Sequence, residues 1–212
     1  MALRRSPHLA AILAATGLAS CAAFNVAMRG PGYEYYVTGN PADVVRPTRG
    51  LWVLQGGGDD VDENYIRMGA AGGGGDFMVL RASGEDQYND YIFDLCQCDS
   101  VETFVFDDRA ATADPFVFET IRNAEALWIA GGDQSRYVRY WKDSPVEDAI
   151  HFVAAKPAPV GGTSAGMAPA FIIAQQCRWA DFDGSLLLAR DREQAFSFTG
   201  SMMQPCGPEV WG

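Results

Sequence analysis

Apolar residues fall into short unbroken runs along much of this chain. Leu51-Trp52-Val53-Leu54 stops near Gly56-Gly57-Gly58. Phe77-Met78-Val79-Leu80 and Thr103-Phe104-Val105-Phe106 follow. Ala126 to Ala130 stops at Gly131-Gly132, and Pro159-Val160 runs into Gly161-Gly162. Runs of this length without alternation suit strands buried on both faces, as in a parallel sheet. Between them the period becomes helical. Asp59-Asp60 precedes Val61 to Met68, with acids where a helix dipole favours them. Asp86 to Leu95 places Tyr88, Tyr91, Ile92 and Leu95 at helical spacing. Asp114-Pro115 predicts an N-cap, then proline at the first helical position, with a helix through Ile121. Asp133 caps a helix through Trp141, and Ser144-Pro145 opens another through Val153. Strand and helix alternate, which predicts an α/β fold: an open, mostly parallel sheet with helices on both faces. Residues 21–49, rich in Gly, Pro and Tyr and without a clear period, read as a tether and lead-in. The α/β domain occupies 50–212.

Composition narrows the partners. The chain has 212 residues, enough for one domain with a sizeable core. With 48% hydrophobic residues, global disorder is not expected. A net charge of -11 repels nucleic acid and anionic membrane surfaces, so neither is an expected partner. The first residues form a different unit. Arg4 and Arg5 precede an apolar run, Leu9 to Ala15, too short to span a membrane. Leu18-Ala19-Ser20-Cys21 then resembles a bacterial lipobox. That resemblance implies a signal peptide over 1–20, lipidation of Cys21, and an exported protein held to a membrane by its lipid. Plain secretion is the alternative. Cys96, Cys98, Cys177 and Cys206 read as buried or disulfide-linked structural cysteines of an exported protein. Histidine is nearly absent, so no metal site is expected, and no cofactor motif occurs. Gly72 to Gly75 is a flexible loop, because no Gly-Lys-Ser/Thr follows it.

The chemistry concentrates at Gly162-Thr163-Ser164-Ala165-Gly166, a G-x-S-x-G pattern at the end of an apolar run. A strand turning sharply into a helix crowds its neighbours, and glycine relieves the crowding. Ser164 would then stand above the sheet at a helix N-terminus, where free N–H groups can stabilise an oxyanion. Gly56-Gly57-Gly58 and Gly131-Gly132-Asp133-Gln134 also follow strands, so all three glycine clusters belong to the C-terminal edge of the sheet, where ligands collect.

Together these three motifs resemble the cyanophycinase and dipeptidase E family of serine peptidases. Val79-Leu80-Arg81-Ala82-Ser83-Gly84 and Asp114-Pro115 add to the similarity, which covers Gly50 to Ala170. The resemblance implies a flavodoxin-like fold and hydrolysis of peptide bonds at aspartyl or acidic residues. It implies Ser164 as nucleophile, an oxyanion hole from the N–H of Ala165 with that of Gly57 or Gly58, and substrate binding by Gln134. Asp133 is expected to cap its loop. The substrate is a peptide, aspartyl- or arginine-rich; the oligomeric state stays open, a dimer among the options.

The pattern breaks after Ser164. The family's catalytic histidine follows the serine in an Asp-x-His-Phe-like segment. Here Asp181, Asp183, Asp191, Glu193 and Glu209 follow, but no histidine. His151 precedes the serine strand, on a helix whose end points away from the turn, and is read as distant from Ser164. A serine without its base is a poor nucleophile, and losing a triad member costs on the order of a million-fold in turnover. The expectation is a C-terminally truncated relative with an incomplete sheet and impaired activity. The alternatives are a non-catalytic exported lipoprotein that binds a peptide or small ligand, and a lipase or esterase using the same turn.

Overall fold

The computed structural model describes residues 26–176, 184–189 and 195–200. The strands are β1 (Val26–Gly30), β2 (Tyr33–Gly39), β3 (Leu51–Gln55), β4 (Asp76–Arg81), β5 (Ser100–Phe106), β6 (Ala126–Ile129), β7 (Pro159–Thr163), β8 (Gly184–Ala189) and β9 (Ala195–Gly200). The helices are α1 (Asp62–Ala71), α2 (Asn89–Cys96), α3 (Pro115–Asn123), α4 (Gln134–Trp141), α5 (Pro145–Ala155) and α6 (Met167–Gln176). Among the described residues these strands form one sheet in the order β1-β2-β5-β4-β6-β7-β3-β8-β9. From β5 to β8 every pairing is parallel. Antiparallel strands flank that block on both sides. The expected open, mostly parallel α/β sheet is thus the architecture of the protein.

Side-chain alternation along each strand divides the core into two layers. Trp52, Met78, Leu80, Phe104 and Leu127 join one layer, covered by α3, α4, α5 and α6 through Val117, Tyr137, Ile150 and Ile173. Leu51, Val53, Phe77, Val79 and Trp128 join the other, covered by α1 and α2 through Tyr65, Met68 and Ile92. Each such buried side chain contributes roughly 1.5–3 kcal/mol. The strands β3 to β7 are buried on both faces, which is why their sequences run apolar without alternation.

The layering also sets where a ligand can sit. The chain leaves β3 and β4 for helices on one face, and leaves β6 and β7 for helices on the other. Since β3 neighbours β7 and β4 neighbours β6, crevices open at the C-terminal ends of both pairs.

The tether assigned to 21–49 requires correction. Its residues 26–39 form a hairpin across a turn at Gly32, which has φ +77°, and β2 pairs with β5 from Tyr33↔Phe106 to Gly39↔Ser100. Tyr33, Tyr35 and Val37 are buried while Glu34 and Tyr36 are half-buried. This is the period of a strand with one face covered, written in tyrosines rather than aliphatics. Residues 184–189 and 195–200 add β8 and β9, so β3 is flanked on both sides. Ser144 does not cap α5 with its side chain; its hydroxyl donates back to the Trp141 carbonyl oxygen. Asp114 does cap α3, accepting from the Phe116 N–H at 3.0 Å.

A carboxylate pair ties the hairpin to the sheet. The Ser100 hydroxyl lies 2.8 Å from Asp76 Oδ1 and 3.0 Å from Glu102 Oε1. A hydroxyl has one proton, so both contacts are hydrogen bonds only when one carboxyl carries a proton of its own. Burial raises both carboxyls, and pushes Glu102 from 4.5 to about 7, although Tyr35 donates to it at 2.7 Å. Between these values the folded protein binds more protons than the unfolded chain. Stability is therefore greatest below about pH 4.5 as far as this group is concerned, and falls as pH rises toward 7. Chemical denaturation at pH 5 and pH 8 is expected to differ by about 2–3 kcal/mol from this source, with Glu102→Gln removing most of the difference.

Candidate active site

Ser164 stands directly beyond β7 and opens a 3-10 turn, Ser164–Gly166, that leads into α6. Its φ is +52°, in the left-handed region, and the residue is exposed. A non-glycine residue there costs of order 1–3 kcal/mol and persists only where its surroundings impose it. The surroundings are backbone. A Cβ on Gly166 would lie 2.2 Å from the Ile129 oxygen and 2.3 Å from the Ala130 oxygen. A Cβ on Gly162 would lie 2.4 Å from the Gly166 oxygen, and one on Gly161 2.7 Å from the Trp128 ring. The turn is pressed against the end of β6, and only glycine permits that approach. Thr163, at the N-cap position of the turn, makes no side-chain cap, and the Ser164 hydroxyl forms no hydrogen bond among the described residues. Ser164 is therefore not used as a helix cap.

Two further glycine loops meet the serine. A Cβ on Gly57 would stand 3.6 Å from Ser164 Oγ, and one on Gly131 3.3 Å from Ser164 Cβ. Gly58 has φ +121° and its Cβ position faces open space. Ala165 is half-buried and packs against the α3–α6 layer. Of the residues predicted around Ser164, Ala165 adjoins it in the chain, Gly57 has its Cβ position near the serine, and Gly58 follows Gly57 in the same loop.

A buried polar network, not anticipated from the sequence, holds the first loop to the turn. Gln55 Nε2 donates to Thr163 Oγ1 at 3.3 Å and to Asp60 Oδ1 at 3.2 Å, and Asn64 donates to Gln55 Oε1 at 2.7 Å. Thr163 donates to the Gly56 carbonyl at 3.1 Å. Asp60 also accepts from Tyr65 at 2.7 Å and Tyr88 at 3.3 Å, and burial raises both phenols, Tyr88 to about 12. A glutamine ending an apolar run just before three glycines was the available signal.

Gln134 begins α4, is exposed, and lines a cavity of ≈ 420 Å³ between α4, α5 and α6. Asp133 caps α4 as expected, its Oδ1 accepting from the Ser135 N–H at 2.8 Å, and hydrogen bonding from the Ser135 side chain, then from its N–H, holds the carboxyl below the ordinary range. Tyr137 donates to the Ala130 carbonyl at 2.7 Å, and burial pushes its phenol to about 12. Arg136 donates to the Ala82 carbonyl at 2.9 Å, joining the loop after β4 to α4. His151 lies on α5 and lines the same cavity as Gln134; burial lowers its pKa, against an opposing pull from Asp148. Cys96 and Cys98 are joined by a disulfide. Among the described residues no group of His, Cys, Asp and Glu is placed to hold a metal ion, and no helix is long and apolar enough to cross a membrane. Cys21, the signal segment, Cys177, Cys206 and the downstream acids lie outside the described residues.

No family model matches the chain. A stretch of 51 residues, 24% of the chain, is 41% identical to part of an N-acetyl-D-glutamate racemase from Pseudoalteromonas sp and spans 16% of that protein. Among solved structures, a peptidase from an acI-B1 Actinobacterium superposes with a TM-score of 0.49 at 15% identity, over 57% of this chain and 56% of that one. The chain spans less than two thirds of either relative.

Two substitutions separate space from strain. Gly166→Ala should lower folding stability by about 3 kcal/mol or more, because its methyl meets two carbonyl oxygens that cannot yield. Ser164→Gly should be about 1 kcal/mol more stable than Ser164→Ala, because it relieves the left-handed strain. Urea denaturation of the purified variants measures both.

Proposed function

We propose that this chain carries the nucleophile side of a serine hydrolase site and acts on peptide bonds beside aspartyl or other acidic residues. The observation that carries the reading is the left-handed, exposed Ser164, whose hydroxyl has no hydrogen bond among the described residues and stands beside the glycines of two other loops. Ser164 Oγ attacks the substrate carbonyl carbon. The N–H of Ala165, with that of Gly57 or Gly58, holds the developing oxyanion. The C–N bond breaks, the amine leaves with a proton, and water then hydrolyses the ester to regenerate the serine. Gln134 hydrogen-bonds the bound peptide. The cyanophycinase-like motifs supply the choice of acidic substrates. The protein matched over 51 residues is named for N-acetyl-D-glutamate, itself the amide of an acidic amino acid, which is in keeping with it.

Residues 165–212 contain no histidine. A non-catalytic peptide- or ligand-binding protein is the second reading. A fluorophosphonate probe decides between them. Ser164 is expected to be labelled, with labelling lost in Ser164→Ala and slowed about tenfold in Gly57→Ala, whose methyl would stand 3.6 Å from the hydroxyl and narrow the approach of the probe. A folded protein that shows no labelling at saturating probe would overturn the hydrolase reading in favour of binding.

Export with a lipid on Cys21 belongs to the same proposal, on the strength of Leu18-Ala19-Ser20-Cys21. Radiolabelled palmitate should enter the protein expressed in a bacterial host and be absent from Cys21→Ala; incorporation that persists in the variant would refute the assignment.

A further inference from the structure

The segment between β2 and β3, residues 40–49, crosses the parallel strands at the edge of the sheet opposite Ser164. It meets the starts of those strands in the order in which they lie side by side. Before β5, the Asn40 N–H donates to the Asp99 carbonyl at 2.9 Å. At β4, the Val44 N–H donates to Asp76 Oδ2 at 3.0 Å. Before β6, the Glu125 carboxylate accepts from the Arg46 N–H. Before β7, the Thr48 hydroxyl donates to the Lys156 carbonyl at 3.3 Å. No side chain of 40–49 is buried, and Val45 is 88% exposed. This strap is therefore held by hydrogen bonds without an apolar anchor, which is how segments that open locally at low cost are built.

A cavity of ≈ 180 Å³ lies beneath it. Pro41 and Asp43 of the strap line one side, Phe116 and Glu119 of α3 another, and Asp76 and Glu102 line it from the sheet. Asp76 and Glu102 are the two carboxyls that contact the single Ser100 hydroxyl. One hydroxyl proton cannot serve both acceptors, so the closed arrangement is complete only when a carboxyl brings a proton of its own. The surroundings are mostly anionic. Tyr35 of β2, Asp43 of the strap and Glu119 of α3 stand around Glu102. Asp43, Asp99 and Glu125 stand around Asp76, and Glu125 accepts the Asp76 N–H at 3.0 Å. Among the described residues Lys156 supplies positive charge here, acting on Glu125, Asp43 and Asp76. Its Nζ is bound to the Arg122 and Asn123 carbonyls at 3.0 and 2.8 Å.

We propose that residues 40–49 are a pH-dependent strap, closed over the Asp76–Glu102 pair while that pair holds a proton and opened, with the sheet intact, when the proton leaves. Opening admits water to both carboxyls. Burial raises both in the closed form, Glu102 from 4.5 to about 7, with Asp43 adding to the effect. The Val44 N–H favours ionised Asp76, and burial outweighs it. Between pH 4.5 and 7 the closed form therefore binds more protons than the open one, and rising pH favours opening. The device does not depend on the reading of Ser164.

Hydrogen exchange of the full chain tests it, read by mass spectrometry at pH 5 and pH 8 and corrected for the intrinsic rate at each. Protection in peptides spanning Val44 and Arg46 should fall about tenfold or more between the two, while β4 and β5 keep theirs. Glu102→Gln replaces the protonated carboxyl with an amide that can donate in its place, and should hold the strap at pH 8 near its pH 5 protection. Asp43→Asn removes an exposed charge from the strap and should shrink the loss about twofold or more. Equal protection at the two pH values would overturn the strap. So would a loss shared equally by β4 and β5, which would mark a weakening of the whole fold. A loss that stays at full size in Asp43→Asn would also overturn it, whether or not Glu102→Gln folds.

Discussion

The site depends on one close approach: the turn after β7 lies against the last carbonyl groups of β6 with no room for a side chain between them. Gly162 and Gly166 make that contact possible, and Gly161 allows β7 itself to pass under the Trp128 ring. With the turn pinned this way, Ser164 has no relaxed conformation available. Its left-handed backbone follows from the packing of its neighbours, since a serine left to itself would not adopt it. The same contact fixes α6, whose first turn continues from the pinned segment. Through α6 it fixes one wall of the apolar cavity.

A strained turn needs rigid supports, and here they differ in kind on its two sides. Toward β6 the support is steric. Toward β3 it is a buried hydrogen-bond network from Gln55 through Thr163 to the Gly56 carbonyl, backed by Asn64 and Asp60. Buried polar groups are costly unless satisfied, so such a network specifies one arrangement of the loop and penalises others. Elsewhere the protein buries carboxyls in the opposite sense. Asp76 and Glu102 sit where burial favours their protonated forms, which ties the β2 hairpin to the sheet in a pH-dependent way remote from the serine. Polar burial thus serves position at one place and titration at the other.

Topology then decides which chemistry meets which wall. Because β3 and β7 send their chains to opposite faces, the Gly57 loop and the Ser164 turn diverge and leave a crevice between them. The apolar cavity lies on one face only, where three helices of the β6–β7 half of the chain converge. An acidic exterior and a carbon-lined pocket can coexist in one small protein because the pocket is made from helix flanks turned toward one another.

Much of this was legible along the chain. The five unbroken apolar runs, the caps at Asp114 and Asp133, and three glycine clusters after strands placed the sheet and singled out Ser164, because local sterics and burial on both faces leave direct marks on composition. The hairpin of residues 26–39 escaped because its buried positions are tyrosines, whose polar ends mask the alternation. The Gln55–Thr163 network, the Gly131 contact with Ser164 and the cavity escaped because each joins residues distant in the chain, and no local pattern encodes which strand will lie beside which. The amino-acid sequence by itself determined that a serine would be carried on a glycine-bounded turn at the edge of an α/β sheet. Only the tertiary structure decided that β6 and β3 would stand on either side of it, because strand order is set by how the helices share the two faces of the sheet.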